Sequence, residues 1–274
     1  MTKQSCILSS TTMSAPSQRG FSPSTLISRS TFVFFRAITL PFQYAILTSG
    51  PLAVSLVRRL GGTPIPPTVG HPLHLLGLNT GLSVQRAIFF GMVVGSVMKQ
   101  SYWAMFISRE KLSVGASALV GVLQTVGDGL NVVLFTNTAT SALAYSAIDG
   151  EKTAFSVPFI VGLGMYALGI VSEWGSEMQR SRFKKDPKNE GRLYTRGLFG
   201  LARHINYGGY VLWRAGFALA AAGWTWGAIM GSLGIWKFVN SAIPELDDYC
   251  SKRYNEQWAQ YKKAVPYKLF PFIL

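Results

Sequence analysis

Glu177-Met178-Gln179-Arg180-Ser181-Arg182-Phe183-Lys184-Lys185-Asp186-Pro187 is followed by Asn189, Gly191-Arg192 and Gly197-Leu198-Phe199, and then by Arg203-His204-Ile205-Asn206-Tyr207-Gly208-Gly209. Eight Lys or Arg stand against three acids across 177–209, between two strongly apolar regions. Cations so placed either flank a membrane or gather an anionic cofactor.

The surroundings argue first for a membrane. Hydrophobic residues make up 49% of the 274 residues and charged ones only 14%, against roughly 25% in a soluble domain. Mean hydropathy is +0.26, and the apolar runs are long enough for an integral membrane protein. A net charge of +14 would suggest nucleic acid in a soluble chain. Here the cations border apolar runs, which fits topology signals and anionic lipid headgroups instead. Nucleic acid is not expected as a partner; membrane lipids and a hydrophobic small-molecule substrate are.

Cys6 and Cys250 sit at opposite ends and form neither a disulfide framework nor a metal motif. His71, His74 and His204 make no metal cluster. His71 and His74, in a Pro/Gly-rich loop, read as a wet surface pair. No metal site is expected.

Outward from the basic stretch, the apolar runs mark the spans. Residues 1–31 are Ser- and Thr-rich, with Lys3, Arg19 and Arg29 and no acid, and read as a disordered tail or a transit segment. Phe32 to Val57 is a first span candidate, carrying Arg36 and broken by Pro41 and Pro51; a loop from Gly61 follows. Val84 to Ile107 is a second, with Arg86 and Lys99. Leu112 to about Leu143 is one tilted helix or a tight pair, with Asp128 its only charge. Thr153 to Trp174 runs on, without a proline, into Arg180 and Lys184. Tyr207 to Ala222 and Ala228 to Val239 read as a hairpin turning at Gly223-Trp224-Thr225-Trp226-Gly227. Beyond Pro244, the steps Leu246, Cys250, Tyr254, Trp258, Tyr261 and Val265 form one face of an amphipathic helix.

This predicts an all-α integral membrane protein with about six transmembrane helices and a cytosolic C-terminal amphipathic helix. Its parts are a tail (1–31), N-terminal membrane helices (32–152) and a cofactor-binding membrane domain (153–274). The positive-inside rule puts the basic stretch, the last helix and the N-terminus on one side. Arg58-Arg59 falls on the other, against the rule.

Three charges inside spans, Lys99, Asp128 and Arg214, are the buried-charge candidates. Lys99 and Asp128 differ in depth by about 9 Å at 1.5 Å per residue, too far for an easy ion pair, so either could line a substrate cavity. Arg214 lies about 10 Å beyond Tyr207 and either has a function or snorkels to the interface. Glu173, Glu177, Arg180 and Lys184 form one stripe, spaced four, three and four. Ion pairing along that stripe is worth a few tenths of a kcal/mol per pair. The other use of these cations, with Arg192 and Arg203, is to hold phosphate oxygens. The chain has no G-x-G-x-x-G and no G-K-[ST], so Rossmann and P-loop sites are excluded.

Gln179 to Lys184 resembles the Q-K-x-x-F-[RK] segment of membrane sterol reductases. Asp186-Pro187, Asn189 and Gly191-Arg192 resemble D-P-x-N-x-G-R of related proteins of unassigned function, and Gly197 to Gly209 is similar to their G-L-W…R-H-P-N-Y-x-G. Cys250, Lys252-Arg253-Tyr254, Trp258, Tyr261 and Val265-Pro266-Tyr267…Pro271 resemble the tail of delta-14 sterol reductases. On these blocks, covering about 173–274, the chain is identified as a member of the steroid 5-alpha-reductase C-terminal superfamily. That superfamily also holds isoprenylcysteine carboxyl methyltransferases.

The resemblance implies a multi-helical membrane enzyme, in the endoplasmic reticulum membrane or alternatively a mitochondrial one. In the reductases, NADPH gives a hydride to a carbon–carbon double bond of a sterol- or enone-like lipid. In the methyltransferases, S-adenosylmethionine serves a lipidic acceptor. A non-catalytic relative would keep the fold alone. By the matched positions, Gln179, Arg180 and Lys184 would hold phosphates or ribose. Arg203, His204, Asn206 and Tyr207 would line the pocket, and Tyr254 and Trp258 would close it. A reductase also needs a proton donor, for which Tyr102, Tyr145 and Tyr166 are candidates. Ile205 replaces the family's proline. Tyr210 replaces the reductases' acid, which the methyltransferases also lack.

Overall fold

The computed structural model describes residues 25–66, 72–75, 77–108, 112–147 and 155–273. Tyr145 lies in the short helix 142–147, but its side chain, like His71, lies outside the described part.

The two prolines that interrupt the first apolar run each open a helix. Pro41 and Pro51 sit in the first turns of α2 (Leu40–Leu47) and α3 (Pro51–Arg59), where a missing N–H costs nothing. α1 (Leu26–Ala37) precedes them, capped by the Thr25 hydroxyl, which accepts from Ser28 N at 3.2 Å. It starts inside the stretch read as a tail. The loop expected after Gly61 contains a β-hairpin, β1 (Pro72–Leu75) against β2 (Leu78–Ser83), and His74 sits in its first strand opposite Asn79. Neither strand alternates apolar and polar residues, so the pattern does not announce it.

α4 (Val84–Tyr102) and α5 (Val114–Thr136) follow, capped by Ser83 and Ser113. The 112–143 run is therefore one long helix plus the short helix 142–147, not a tight pair. α6 (Val157–Lys185) continues unbroken through the basic residues, as expected.

α7 (Ile205–Lys237) is kinked at Ala222 and Gly223, the latter at φ +77°, a left-handed value open to glycine. Its two arms fold back on each other. A Cβ on Gly227 would lie 2.8 Å from Leu219, and one on Gly234 would lie 3.1 Å from Val211. Tyr207 stacks on Phe238 at 4.5 Å. The expected hairpin is present, turning at Gly223.

α8 (Ile243–Tyr254) and α9 (Glu256–Ala264) are two helices where one was expected, divided at Asn255 with φ +44°. The apolar face survives the break: Cys250, Trp258, Tyr261 and Val265 bury together against Leu193 and Leu246.

Hydrogen bonds sort the element ends. Arg29 donates to Met105 O and Ser108 O at 2.6 and 3.1 Å, Ser28 donates to Leu112 O, and Tyr102 packs on Trp174. The start of α1, the far end of α4, the start of α5 and the basic end of α6 therefore share one end of the bundle. The β-hairpin, Pro64 paired with Asn137, and the α7 turn beside Asn131 mark the other. Among the described residues, four stretches are long and apolar enough to cross a membrane: Leu26–Leu47, Val114–Thr136, Val157–Lys185 and the folded-back Ile205–Tyr254. Leu123, Val126, Leu168, Val171, Leu233 and Trp236 turn outward as an apolar belt. The chain is a multi-pass membrane protein.

Candidate functional site

α6 and the first arm of α7 touch backbone to backbone, and glycine is the reason. A Cβ on Gly209 would lie 2.6 Å from Glu173 N, and one on Gly169 would lie 2.7 Å from Gly209 O and press on Trp213 N. At this separation the carboxylates of α6 reach side chains on α7. Glu173 accepts from Trp213 Nε1 at 2.6 Å and forms an ion pair with Lys99. One turn farther out, Glu177 accepts from Asn206 Nδ2 at 2.7 Å and from Arg180 Nη2 at 2.5 and 2.8 Å. Glu177 is buried, whereas the Arg180 side chain is 40% exposed. The pair thus presents a cation and a carboxylate at the mouth of the basic end.

The surrounding wall comes from the loop after α6 and from the chain terminus. Gln179 Oε1 accepts from Leu198 N at 2.9 Å, shaping the turn 197–200 that sets Phe199 5.6 Å from the Arg180 guanidinium. Gly197 takes φ +60° there, and a Cβ would strike the Gln179 carboxamide. Tyr261 Oη donates to Phe199 O at 2.6 Å; burial raises the pKa of this phenol. His204 is buried, stacked on Tyr207 at 5.7 Å and 6.2 Å from Trp258. Its amide and that of Arg203 donate to Lys268 O and Tyr267 O, and Leu269 is buried against Gly208. The last residues thereby cap the first turn of α7.

The expected cofactor residues divide by what their polar atoms do. Arg180 and Asn206 hold Glu177, His204 packs against Tyr207 and Trp258, and Trp258 Nε1 donates to Asp247 Oδ1 at 2.8 Å. Gln179 serves the turn 197–200. Lys184 donates to Arg192 O and, at 3.0 Å, to Tyr254 Oη. Arg203 donates to Val265 O at 2.5 Å and Lys262 O at 3.5 Å, holding the end of α9. Arg192 is exposed. Of the four cations expected to hold phosphates, Lys184 and Arg203 therefore engage backbone carbonyls and Arg180 a carboxylate.

Of the proton-donor candidates, Tyr166 is buried with its hydroxyl donating to Met92 O at 2.6 Å. Tyr102 packs between Phe106 and Trp174 near the basic end. The in-span charges find partners that counting along neighbouring spans does not anticipate. Lys99 pairs with Glu173, as above. Asp128 takes Arg36 and Arg214, each at 2.6 Å, so Arg214 is held inside the bundle. Lys99 and Asp128 do not pair, as their depths implied. Glu177 was visible only as part of an ion-pair stripe; its contact with Asn206 needed the close helix crossing. No group of His, Cys, Asp or Glu able to hold a metal occurs among the described residues.

Burial pushes the pKa of His204 down to about 4, and the Arg203 charge adds to this. An unfolded imidazole titrates near 6.5. Between those values the unfolded chain takes up a proton that the folded chain refuses, so stability falls as pH is lowered through that window. Above it, both states are neutral and the effect is absent. The loss should be on the order of 3 kcal/mol across the window. Melting followed from pH 7 to 4.5 should show it, and His204→Gln should remove that component.

A protein family of unknown function, DUF1295, matches residues 129–265, half of the chain, including Glu173, Glu177, Arg180, His204 and Asn206. The chain belongs to the DUF1295 family. That family falls within the steroid 5-alpha-reductase C-terminal superfamily, as the motifs implied. "Probable O-methyltransferase ustE" of Ustilaginoidea virens is 34% identical over 86% of this DUF1295 protein and 82% of its own length. "Protein-S-isoprenylcysteine O-methyltransferase" of Schizosaccharomyces pombe is 24% identical, with 61% of this chain and 71% of its own covered. The "Delta(14)-sterol reductase" of Arabidopsis thaliana is 26% identical over 45% of this chain, which spans only 36% of that reductase.

Proposed function

We propose that this DUF1295 protein is a membrane methyltransferase that uses S-adenosylmethionine on an oxygen of a lipidic acceptor. The observation that carries this is the Glu177–Arg180–Asn206 group at the mouth of the site. A free α-amino acid end, with one ammonium and one carboxylate, complements a carboxylate beside a half-exposed guanidinium. The diphosphate of NADPH calls instead for several uncommitted cations, whereas Lys184 and Arg203 are engaged with backbone carbonyls. S-adenosylmethionine held there would supply an electrophilic methyl group to the acceptor oxygen. The protein's part is to fix the amino acid end with Glu177 and Arg180 and to keep water out with the buried wall from Phe199 to Tyr261. Tyr210, in place of the reductases' acid, fits the same reading. The extended similarity to the Ustilaginoidea protein supports it independently.

A reductase using NADPH on a sterol- or enone-like double bond is the second reading, favoured by the Gln179–Lys184 and Arg203–Gly209 motifs. In either case we place six crossings in an endoplasmic reticulum membrane: α1–α2, α4, α5, α6 and the two arms of α7. α8 and α9 then lie on the cytosolic side.

Calorimetric titration of the protein in an uncharged detergent separates the readings. S-adenosylmethionine should bind and NADPH should not, and Glu177→Gln should weaken the former by roughly tenfold or more, the loss of a desolvated charge pair. NADPH binding without S-adenosylmethionine binding would establish the reductase reading. Binding of neither would leave a non-catalytic relative.

A further inference from the structure

Four arginine or lysine side chains are held in the bundle, and two of them, Arg86 and Lys99, have partners to themselves. Arg86 spreads its charge over Leu47 O, Ile65 O, Pro66 O and Ser49 Oγ, at 2.6 to 3.1 Å. Lys99 has Glu173. Arg36 pairs with Asp128 Oδ2, assisted by Thr125 Oγ1 at 3.4 Å. Arg214 must share that aspartate through Oδ1. Ser96 Oγ also donates to Asp128. Two guanidiniums thus stand on one carboxylate, and neither has another acidic partner among the described residues. Arg36 Nε is buried without a hydrogen-bond partner. A net positive charge at this depth is expensive unless an anion meets it.

The geometry also shows where an anion could reach it. Arg36 and Asp128 are fully buried, but the Arg214 side chain keeps 11% of its surface exposed. Its neighbours Tyr210 and Gln124, which hydrogen-bond each other at 3.3 Å, are likewise partly exposed. These three polar side chains form a slot between α5 and α7. On α5 the slot is flanked by outward-facing Leu123, Val126 and Leu130, surface that an acyl chain would cover in a bilayer. It lies about 10 Å along α7 from Tyr207, inward of the cofactor cradle.

We propose that this slot binds the carboxylate head of a single-chain amphiphile entering from the lipid side. One carboxylate supplies the one missing negative charge, and the tail lies along the α5 belt. The site stands whichever cofactor the cradle takes.

The test uses the full chain in an uncharged detergent, titrated with laurate, methyl laurate or acetate while its melting midpoint is followed. Laurate should raise the midpoint by mass action; methyl laurate, lacking the charge, and acetate, lacking the tail, should not at equal concentration. Arg214→Gln leaves one arginine with Asp128, so it removes the excess charge without stranding an ion, and should weaken laurate by roughly tenfold or more. Arg214→Lys keeps the charge and should retain most of the response. An equal response to methyl laurate or acetate, or an undiminished laurate response in Arg214→Gln, overturns the proposal. If Arg214→Gln does not fold, loss of the laurate response in Arg214→Lys overturns it too, because the charge is then not what binds.

Discussion

Asp128→Asn should destabilise the protein by roughly 3–5 kcal/mol, the cost of breaking a buried ion pair by removing one partner. The substitution keeps the size of the side chain and much of its hydrogen bonding. What it removes is the carboxylate facing both Arg36 and Arg214, each 2.6 Å away. Those cations come from α1 and α7, so three helices lose their common electrostatic anchor together. Arg214→Gln should cost far less, because Arg36 and Asp128 remain a balanced pair. Melting midpoints of the two purified variants check the contrast; equal losses would mean that bulk, not charge, matters at this junction.

Gly169→Leu should have a comparable effect through sterics alone. The Cβ position at Gly169 is already filled by Trp213 N and by Gly209 O, 2.7 Å away, and backbone atoms of a packed helix cannot step aside as a flexible side chain could. Overpacking a well-filled core costs typically 1–3 kcal/mol and occasionally more; with backbone on the receiving side, the upper end applies. α6 and α7 would have to part, which would also draw Glu173 from Trp213 and Glu177 from Asn206, so ligand binding should fall with stability. Gly164→Leu on the same helix is the control: a Cβ there meets nothing within 4 Å, and that variant should melt like the parent. Yield and melting midpoint of both proteins in detergent decide it.

These two sites mark the boundary of what the residues disclose before any coordinates. Local periodicity sufficed for the run of α6 into its basic turns, for the α7 hairpin and for the apolar face of α8 and α9, because each depends on residues close in sequence. The break at Asn255 was hidden because the apolar steps of three and four continue across it. The β-hairpin was hidden because β1 and β2 lack alternation. The partners of Asp128 and Lys99 come from helices that are not sequence neighbours, so depth counting could reject the wrong pair but could not find the right ones. At the cradle the motifs named residues that the fold brings close together. They did not reveal that Gln179, Lys184 and Arg203 hold the wall together, since a side chain bonded to the backbone leaves no partner residue type to recognise.

The tail that caps α7 has a consequence for how the protein is made. The amides of Arg203 and His204 are met by Tyr267 and Lys268, and Phe199 is fixed by Tyr261. During synthesis the membrane helices are all polymerised before Tyr261, Tyr267 and Lys268, so the cradle closes only after those residues have emerged.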